Sequence, residues 1–231
     1  FNSNINNKLF FNKVAIDSRE VKNRGIFFAI KGNNDDGHRY VKKVITNKNN
    51  LAVISKNFKN KRLIKTQNTL EGLRNLASYA RQRSKAKIIA ITGSCGKTSV
   101  KEMIASILKK NGSVLVTKDN SNNEIGVPTT LINISAAHNY AVVEMGARNA
   151  GDINYLCEIA KPDIALINNI LPAHLEGFGD IQNIAKAKGE IYKDLKNNGT
   201  AVINIDEPHA QVWIKSTNAK VITFSAHNIQ A

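Results

Sequence analysis

Short β-branched runs alternate along this chain with longer stretches in which apolar residues recur every three to four positions, and the alternation predicts its elements. In the first part, strands are expected at 14–17, 26–30, 51–55 and 62–65, with a short helix over 38–46. A longer helix is expected from 68 to about 83; Asn68-Thr-Leu-Glu71 reads as its capped start, with Glu71 at the third helical position. The polar segment 81–87 follows, and the domain boundary is placed there. Beyond it strands are expected at 88–91, 114–117, 141–144, 164–168, 201–205 and 221–224, and helices at 97–110, 151–160, 181–196 and 208–216. Strands and helices in such alternation give an α/β fold, a parallel sheet with helices on both faces, and ligands bind beyond the carboxyl ends of its strands.

The most specific local signal lies where the first strand of this second part ends. Ile88-Ile-Ala-Ile-Thr-Gly-Ser-Cys-Gly-Lys-Thr-Ser99 runs from a β-branched strand through a glycine-rich turn into a helix. That helix has Val100, Met103, Ile104, Ile107 and Leu108 on one face. A loop of this kind, residues Gly93, Ser94, Cys95, Gly96, Lys97, Thr98 and Ser99, turns backbone N–H groups and a helix N-terminus toward phosphate. Lys97 supplies a cation for the terminal phosphates of ATP and the Thr98 hydroxyl a ligand for Mg²⁺. The usual phosphate-loop spacing has a glycine five residues before the Gly-Lys pair; Ile91 stands there, and the first glycine is Gly93.

Composition alters this picture little. With 231 residues and 42% hydrophobic content, the chain can build one large domain or two smaller ones. It has no apolar run near the roughly 18 residues of a membrane span and no signal-peptide pattern. Its two cysteines, Cys95 and Cys157, match neither a zinc site nor a disulfide framework, so a reducing, cytoplasmic compartment is expected. The net charge of +15 is spread along the chain with few aromatic residues among the cations. Phosphorylated small molecules would be drawn to such a surface, and no nucleic-acid platform is evident.

Further candidates lie at the expected carboxyl ends of strands. Glu144 ends the run Ala141-Val-Val-Glu144, where an acid either reaches Mg²⁺ or merely caps a loop. Asn122-Asn-Glu-Ile-Gly126, including Asn123, is rich in groups that can bond phosphate or a metal-bound water, and equally could be an ordinary turn. His174 follows the strand 164–168 and is a surface histidine, a base or a metal ligand, although Mg²⁺ prefers oxygen. Lys186 and Lys188 sit two apart on a helix and point to different faces, so at most one enters a site.

Taken together, these segments resemble the Mur ligases. The residues that carry the likeness are Asp17-Ser-Arg19, Gly25-Ile-Phe-Phe-Ala-Ile-Lys-Gly32, Asp36-Gly-His38, Thr92-Gly-Ser-Cys-Gly-Lys-Thr98, Asn122-Asn-Glu-Ile-Gly-Val-Pro128 and Glu144-Met-Gly-Ala147. They continue with Ala173-His-Leu-Glu-Gly-Phe-Gly179 and Ala185-Lys-Ala-Lys-Gly-Glu190. The short glycine loop is the form these ligases use, and the string at 173–179 favours the branch that adds D-alanyl-D-alanine to UDP-N-acetylmuramoyl-tripeptide.

The resemblance implies a small N-terminal α/β domain over 1–85 that binds the UDP-sugar substrate, then a P-loop, parallel-sheet ATPase domain over 86–231. The latter is expected to be truncated, because the family continues with more of this domain and a C-terminal one. Little ligase activity is therefore expected of residues 1–231 alone. The implied chemistry is ATP-dependent amide formation through an acyl phosphate in peptidoglycan precursor synthesis, by a monomer. By resemblance Thr98 and Glu144 hold one Mg²⁺ and His174 a second, and Lys188 is the lysine that related ligases carry carbamylated. Ser18, Arg19, Lys31, Asp36, Gly37 and His38 match the UDP-sugar region. A sibling Mur or folylpolyglutamate-type ligase, or a P-loop kinase or NTPase that makes no amide, is the alternative.

Overall fold

The computed structural model describes residues 11–32, 34–172, 175–193, 195 and 198–227. The chain forms two units, the first up to Ala77 and the second from Ser78.

In the first unit β1 (Lys13–Ala15), β2 (Gly25–Phe28), α1 (Val41–Val44), β3 (Leu51–Ile54), β4 (Leu63–Lys65) and the start of α2 (Thr69–Arg83) follow one another. The strands lie in the order β1-β2-β3-β4, every pair parallel. Side chains alternate faces along a strand, so Phe27, Ala52 and Ile54 meet Val41 and Val44 on one face. Asn68 accepts from the N–H groups of Leu70 and Glu71 through its side-chain oxygen, which is the capped start its sequence predicts. The helix expected over 38–46 is shorter. Asp36 accepts the N–H of His38 at 3.0 Å and opens a 3₁₀ turn, Gly37–Tyr40, that precedes α1.

Helix α2 crosses the division between the units. Thr69 Oγ1 donates to Ala29 O at 3.1 Å in the first, whereas Arg81 donates to Ala160 O at 2.8 Å and Asp163 Oδ2 at 3.1 Å in the second. Arg81, at the start of the polar stretch 81–87, is thus buried and bonded within the second unit.

The second unit runs β5 (Lys87–Thr92), α3 (Lys97–Leu108), β6 (Val114–Val116), α4 (Gly126–Ile132), β7 (Tyr140–Glu144), α5 (Asp152–Ala160) and β8 (Ile164–Ile167). It continues with α6 (Leu175–Phe178), α7 (Ile181–Lys193), β9 (Thr200–Asn204), α8 (Ala210–Ser216) and β10 (Lys220–Phe224). Its six strands are parallel in the order β10-β9-β8-β5-β7-β6. Central β5 is buried from Ile88 to Thr92, which is why it reads as an unbroken apolar run. Ile89 and Ile91 pack with Val100, Ile104 and Leu108 of α3 on one face; α7 packs against β5 and β8. Connections leave β5 toward β6 and β7 on one side and β8 on the other, so the turn after β5 lies at a topological switch point, where such sheets bind ligands.

Helices α4 and α6 were not expected from the sequence. The run Gly126-Val-Pro-Thr-Thr has poor helix propensity, but Asn123 Oδ1 accepts from Gly126 N at 2.9 Å and caps it. Pro128 sits in the first turn, where a missing N–H costs no intrahelical bond.

Candidate functional site

The turn after β5 is held from the β8 side. Ser94 and Cys95 give their backbone N–H groups to the O and Oδ1 of Asn169, each at 3.0 Å, and Asn168 Nδ2 donates to Cys95 O at 2.6 Å. Gly96 then adopts φ 72° as the residue before α3, a left-handed conformation that disfavours any side chain. Among the described residues, no hydrogen bond is made by the backbone N–H groups of Gly96, Lys97, Thr98 or Ser99. These are the orphan donors at the positive end of the α3 dipole, a ready cradle for an anion. Lys97 folds back onto its own loop and donates to Gly93 O at 2.8 Å and Ser94 O at 3.1 Å. Cys95, a free thiol, and Ser99 are exposed.

Glu144 ends β7 beside this cradle and is 1% exposed. Thr98 Oγ1 donates to its Oε2 at 2.9 Å, and Asn122 Nδ2 to its Oε1 at 2.7 Å. Burying a carboxylate is costly unless it is hydrogen-bonded, and these bonds satisfy both oxygens. Asn122 can approach because the residue two beyond Glu144 is Gly146; a Cβ there would lie 2.6 Å from Asn122 Oδ1.

An open cleft of ≈ 700 Å³ extends from Lys97 along residues 120–124 and 146–149 to Lys188 of α7. Lys188 is 3% exposed, and among the described residues it has no hydrogen bond or ion pair. Desolvation, reinforced by the Lys97 charge, lowers its pKa to about 8. Lys186, one of the two alternatives in the sequence, is exposed on another face of α7. Asn123 lines the cleft while capping α4; it is the neighbouring Asn122, quoted in the motif without a role, that reaches Glu144. His174 lies outside the described residues.

The first unit has its own polar rim at the carboxyl ends of β1, β2 and β3. Asp17 caps the turn Ser18–Glu20 and holds the Arg19 side chain through both oxygens, Oδ1 accepting from Nε at 3.0 Å and Oδ2 from Nη2 at 2.6 Å; that pairing draws the Asp17 pKa down to about 2. Asp36 accepts from Lys56 Nζ and His38 Nδ1, each at 2.6 Å, and these bonds hold its carboxyl well below the usual range. The backbone N–H of Ser55 donates to His38 Nε2 at 3.0 Å, so the ring hydrogen sits on Nδ1. Lys31 pairs with Asp36 in an isolated antiparallel bridge and is exposed. Ser18 to His38 thus share one rim, and Lys56, missed in the sequence, belongs to it. Its signal was its place directly after a strand.

The Mur ligase middle-domain family profile matches residues 91–231. The chain belongs to the Mur ligase family. This Mur ligase chain is 44% identical over 219 residues to the UDP-N-acetylmuramoyl-tripeptide–D-alanyl-D-alanine ligase of Buchnera aphidicola from Acyrthosiphon pisum, covering 94% of the chain and 48% of that protein. It is 38% identical over 218 residues to the Haemophilus influenzae protein of the same name, covering 92% and 48%. The fold is similar to the crystal structure of MurF ligase from Thermotoga maritima in complex with ADP, with a TM-score of 0.87 at 31% identity over 96% of this chain and 52% of that one. The chain spans about half the length of the curated relatives it matches. Among the described residues no helix is long and apolar enough to cross a membrane.

Proposed function

We propose that this Mur ligase chain carries the nucleotide site and the UDP-sugar site of a cytoplasmic enzyme that adds D-alanyl-D-alanine to UDP-N-acetylmuramoyl-tripeptide at the expense of ATP. The observation that carries the reading is the convergence of the phosphate cradle, the Thr98–Glu144 pair and the buried Lys188, which has no hydrogen bond or ion pair among the described residues, on one region of the second unit. Relatives named for this activity and a neighbour bound to ADP support it.

In this reading the free N–H groups of residues 96–99 receive the phosphates of ATP, and Lys97 leaves its loop carbonyls to meet the terminal ones. The tripeptide carboxylate attacks the γ-phosphorus, the bond to ADP breaks, and an acyl phosphate forms. Two anions must approach for this, and Lys97 with the loop amides offsets their repulsion. The amine of D-alanyl-D-alanine then adds to the acyl carbon, and the tetrahedral intermediate loses phosphate and a proton to give the amide. Thr98 and Glu144 are oxygen donors in mutual contact, a donor set that fits Mg²⁺; the ion when bound neutralises phosphate charge. His174 is assigned a second ion by its motif alone.

Lys188 is assigned a carbamate: its neutral amine adds to CO₂ and loses a proton. Burial that lowers the pKa to about 8 supplies that amine near neutral pH. The first unit would hold the UDP-sugar through Ser18, Arg19, Lys31 and 36–38.

The test is an assay of the protein extended to the length of its relatives, with ATP, UDP-linked tripeptide and D-alanyl-D-alanine. Phosphate release and amide product are expected only when both acceptor substrates are present. Phosphate release that ignores the UDP-linked peptide would make the chain an NTPase and overturn the proposal.

A further inference from the structure

Lys101 is the most deeply buried cation among the described residues, with a relative exposure of 0%. It lies one helical turn beyond Lys97 and Thr98 on α3, on the face toward β7. Its ammonium donates to Thr117 O at 2.8 Å and Asp119 O at 3.0 Å, and approaches Glu144 Oε2 at 3.8 Å and Glu102 Oε1 at 3.3 Å. Asp119 has φ 50°, a left-handed conformation uncommon for non-glycine residues, though aspartate adopts it more readily than most. The segment after it, 120–124, forms a wall of the cleft. The oxygen of Glu144 that faces Lys101 is also the one that accepts from Thr98.

From these contacts we infer that Lys101 is the positioning residue of the nucleotide cleft: its buried ammonium joins Glu144 to the turn at 117–119 and sets both the carboxylate and the cleft wall. A neutral leucine or methionine of similar volume would pack there without the cost of burying a charge. The charge is matched instead to the Glu144 and Glu102 carboxylates and to two carbonyls that would otherwise lack donors. Glu144 and the two carbonyls belong to the surroundings of the cleft, which must be in place before a nucleotide arrives. The inference rests on the proposed nucleotide and Mg²⁺ reading, and it names a residue that touches neither ligand.

Two variants of the chain test it, with wild type alongside. Lys101→Met removes charge and donors; Lys101→Gln keeps amide donors without the charge, and carries the test if the methionine variant does not fold. Isothermal titration with ADP, with and without Mg²⁺, gives the first readout. Affinity in Mg²⁺ should fall at least about ten-fold, the usual effect of losing a group that orients a metal ligand. Affinity without Mg²⁺ should stay within about two-fold, since the phosphate cradle is untouched. Hydrogen exchange of the ligand-free protein gives the second: the amides of 117–124 should exchange faster, while those of α7 stay unchanged.

Equal losses with and without Mg²⁺ would reduce Lys101 to a structural residue and overturn the inference, as would unchanged binding and exchange. A wild-type chain whose ADP affinity ignores Mg²⁺ would sink the metal reading instead. Exchange at 117–124 would then decide Lys101 alone.

Discussion

The two polar rims of this chain handle their charges in opposite ways. In the first unit the acids answer the bases: Arg19 lies on Asp17, and Lys56 and His38 on Asp36. In the second, among the described residues, Lys97 has only loop carbonyls and Lys188 is buried with no hydrogen bond or ion pair. A ligand of the first rim must therefore displace or join existing pairs, of which the exposed ones contribute little and the buried His38–Asp36 pair more. A ligand of the second supplies the counter-charge that folding withheld. The first rim is built for fit, the second for charge.

The sharpest way to break this contrast is at Lys188. Moving a pKa from 10.5 to about 8 means burial opposes the charged form, by about 3 kcal/mol at full effect. Lys188→Met should therefore raise stability at pH 7, by up to about 3 kcal/mol in urea denaturation. Below about pH 8 both folded and unfolded lysines are protonated, and the whole penalty is present. Between that pH and 10.5 the unfolded chain binds more protons, so wild-type stability rises with pH and the advantage of methionine shrinks. With ¹³C-bicarbonate, wild type should also show a carbamate resonance growing from about pH 7 to about pH 9, absent in the variant. A variant less stable than wild type at pH 7 would mean Lys188 has a hidden partner and the rims do not differ.

At the first rim the expected sign is reversed. His38 is buried and serves two partners, Asp36 and the backbone of Ser55. His38→Phe keeps a ring of similar shape beside Phe58 but leaves the Ser55 N–H without its acceptor. The loss should be about 2 kcal/mol, from one unsatisfied, partly buried donor and one bond to a charged group. Urea denaturation of the two variants side by side gives the comparison directly. A neutral result for His38→Phe would show that this rim, too, is held by something other than its internal pairs.

How much of this was legible in the sequence follows the range of the forces involved. Strands with unbroken apolar runs, such as 88–91 and 141–144, and helices with a full apolar stripe, such as α3 and α7, emerged within a few residues of their bounds. Fully buried parallel strands and amphipathic helices write their environment into their own sequence. Helix α4 did not, because its start is set by the Asn123 side chain and its body is β-branched. In the site, the glycine-rich turn between β5 and α3 was readable because its geometry is local, one turn and one helix end. The second partner of Glu144 was not, since Asn122 reaches it only because Gly146 leaves room. Lys101 was hidden for a similar reason: in an amphipathic helix a lysine reads as solvent-facing, and only the fold places carbonyls around it.

Lys186 gives the smallest effect and the cleanest control. Successive helical residues are turned by about 100°, so two positions place Lys186 about 200° from Lys188 around α7. One side chain is buried at the cleft, and the other is exposed. A surface lysine without a structural partner contributes within about 0.5 kcal/mol, so Lys186→Ala should leave urea stability within that margin and ADP affinity within about two-fold. The carbamate resonance should persist in it unchanged. If the resonance vanished in Lys186→Ala and survived in Lys188→Met, the reactive amine would belong to the solvent face of the helix. Burial would then be unrelated to its chemistry, and the second rim would lose the feature that sets it apart from the first.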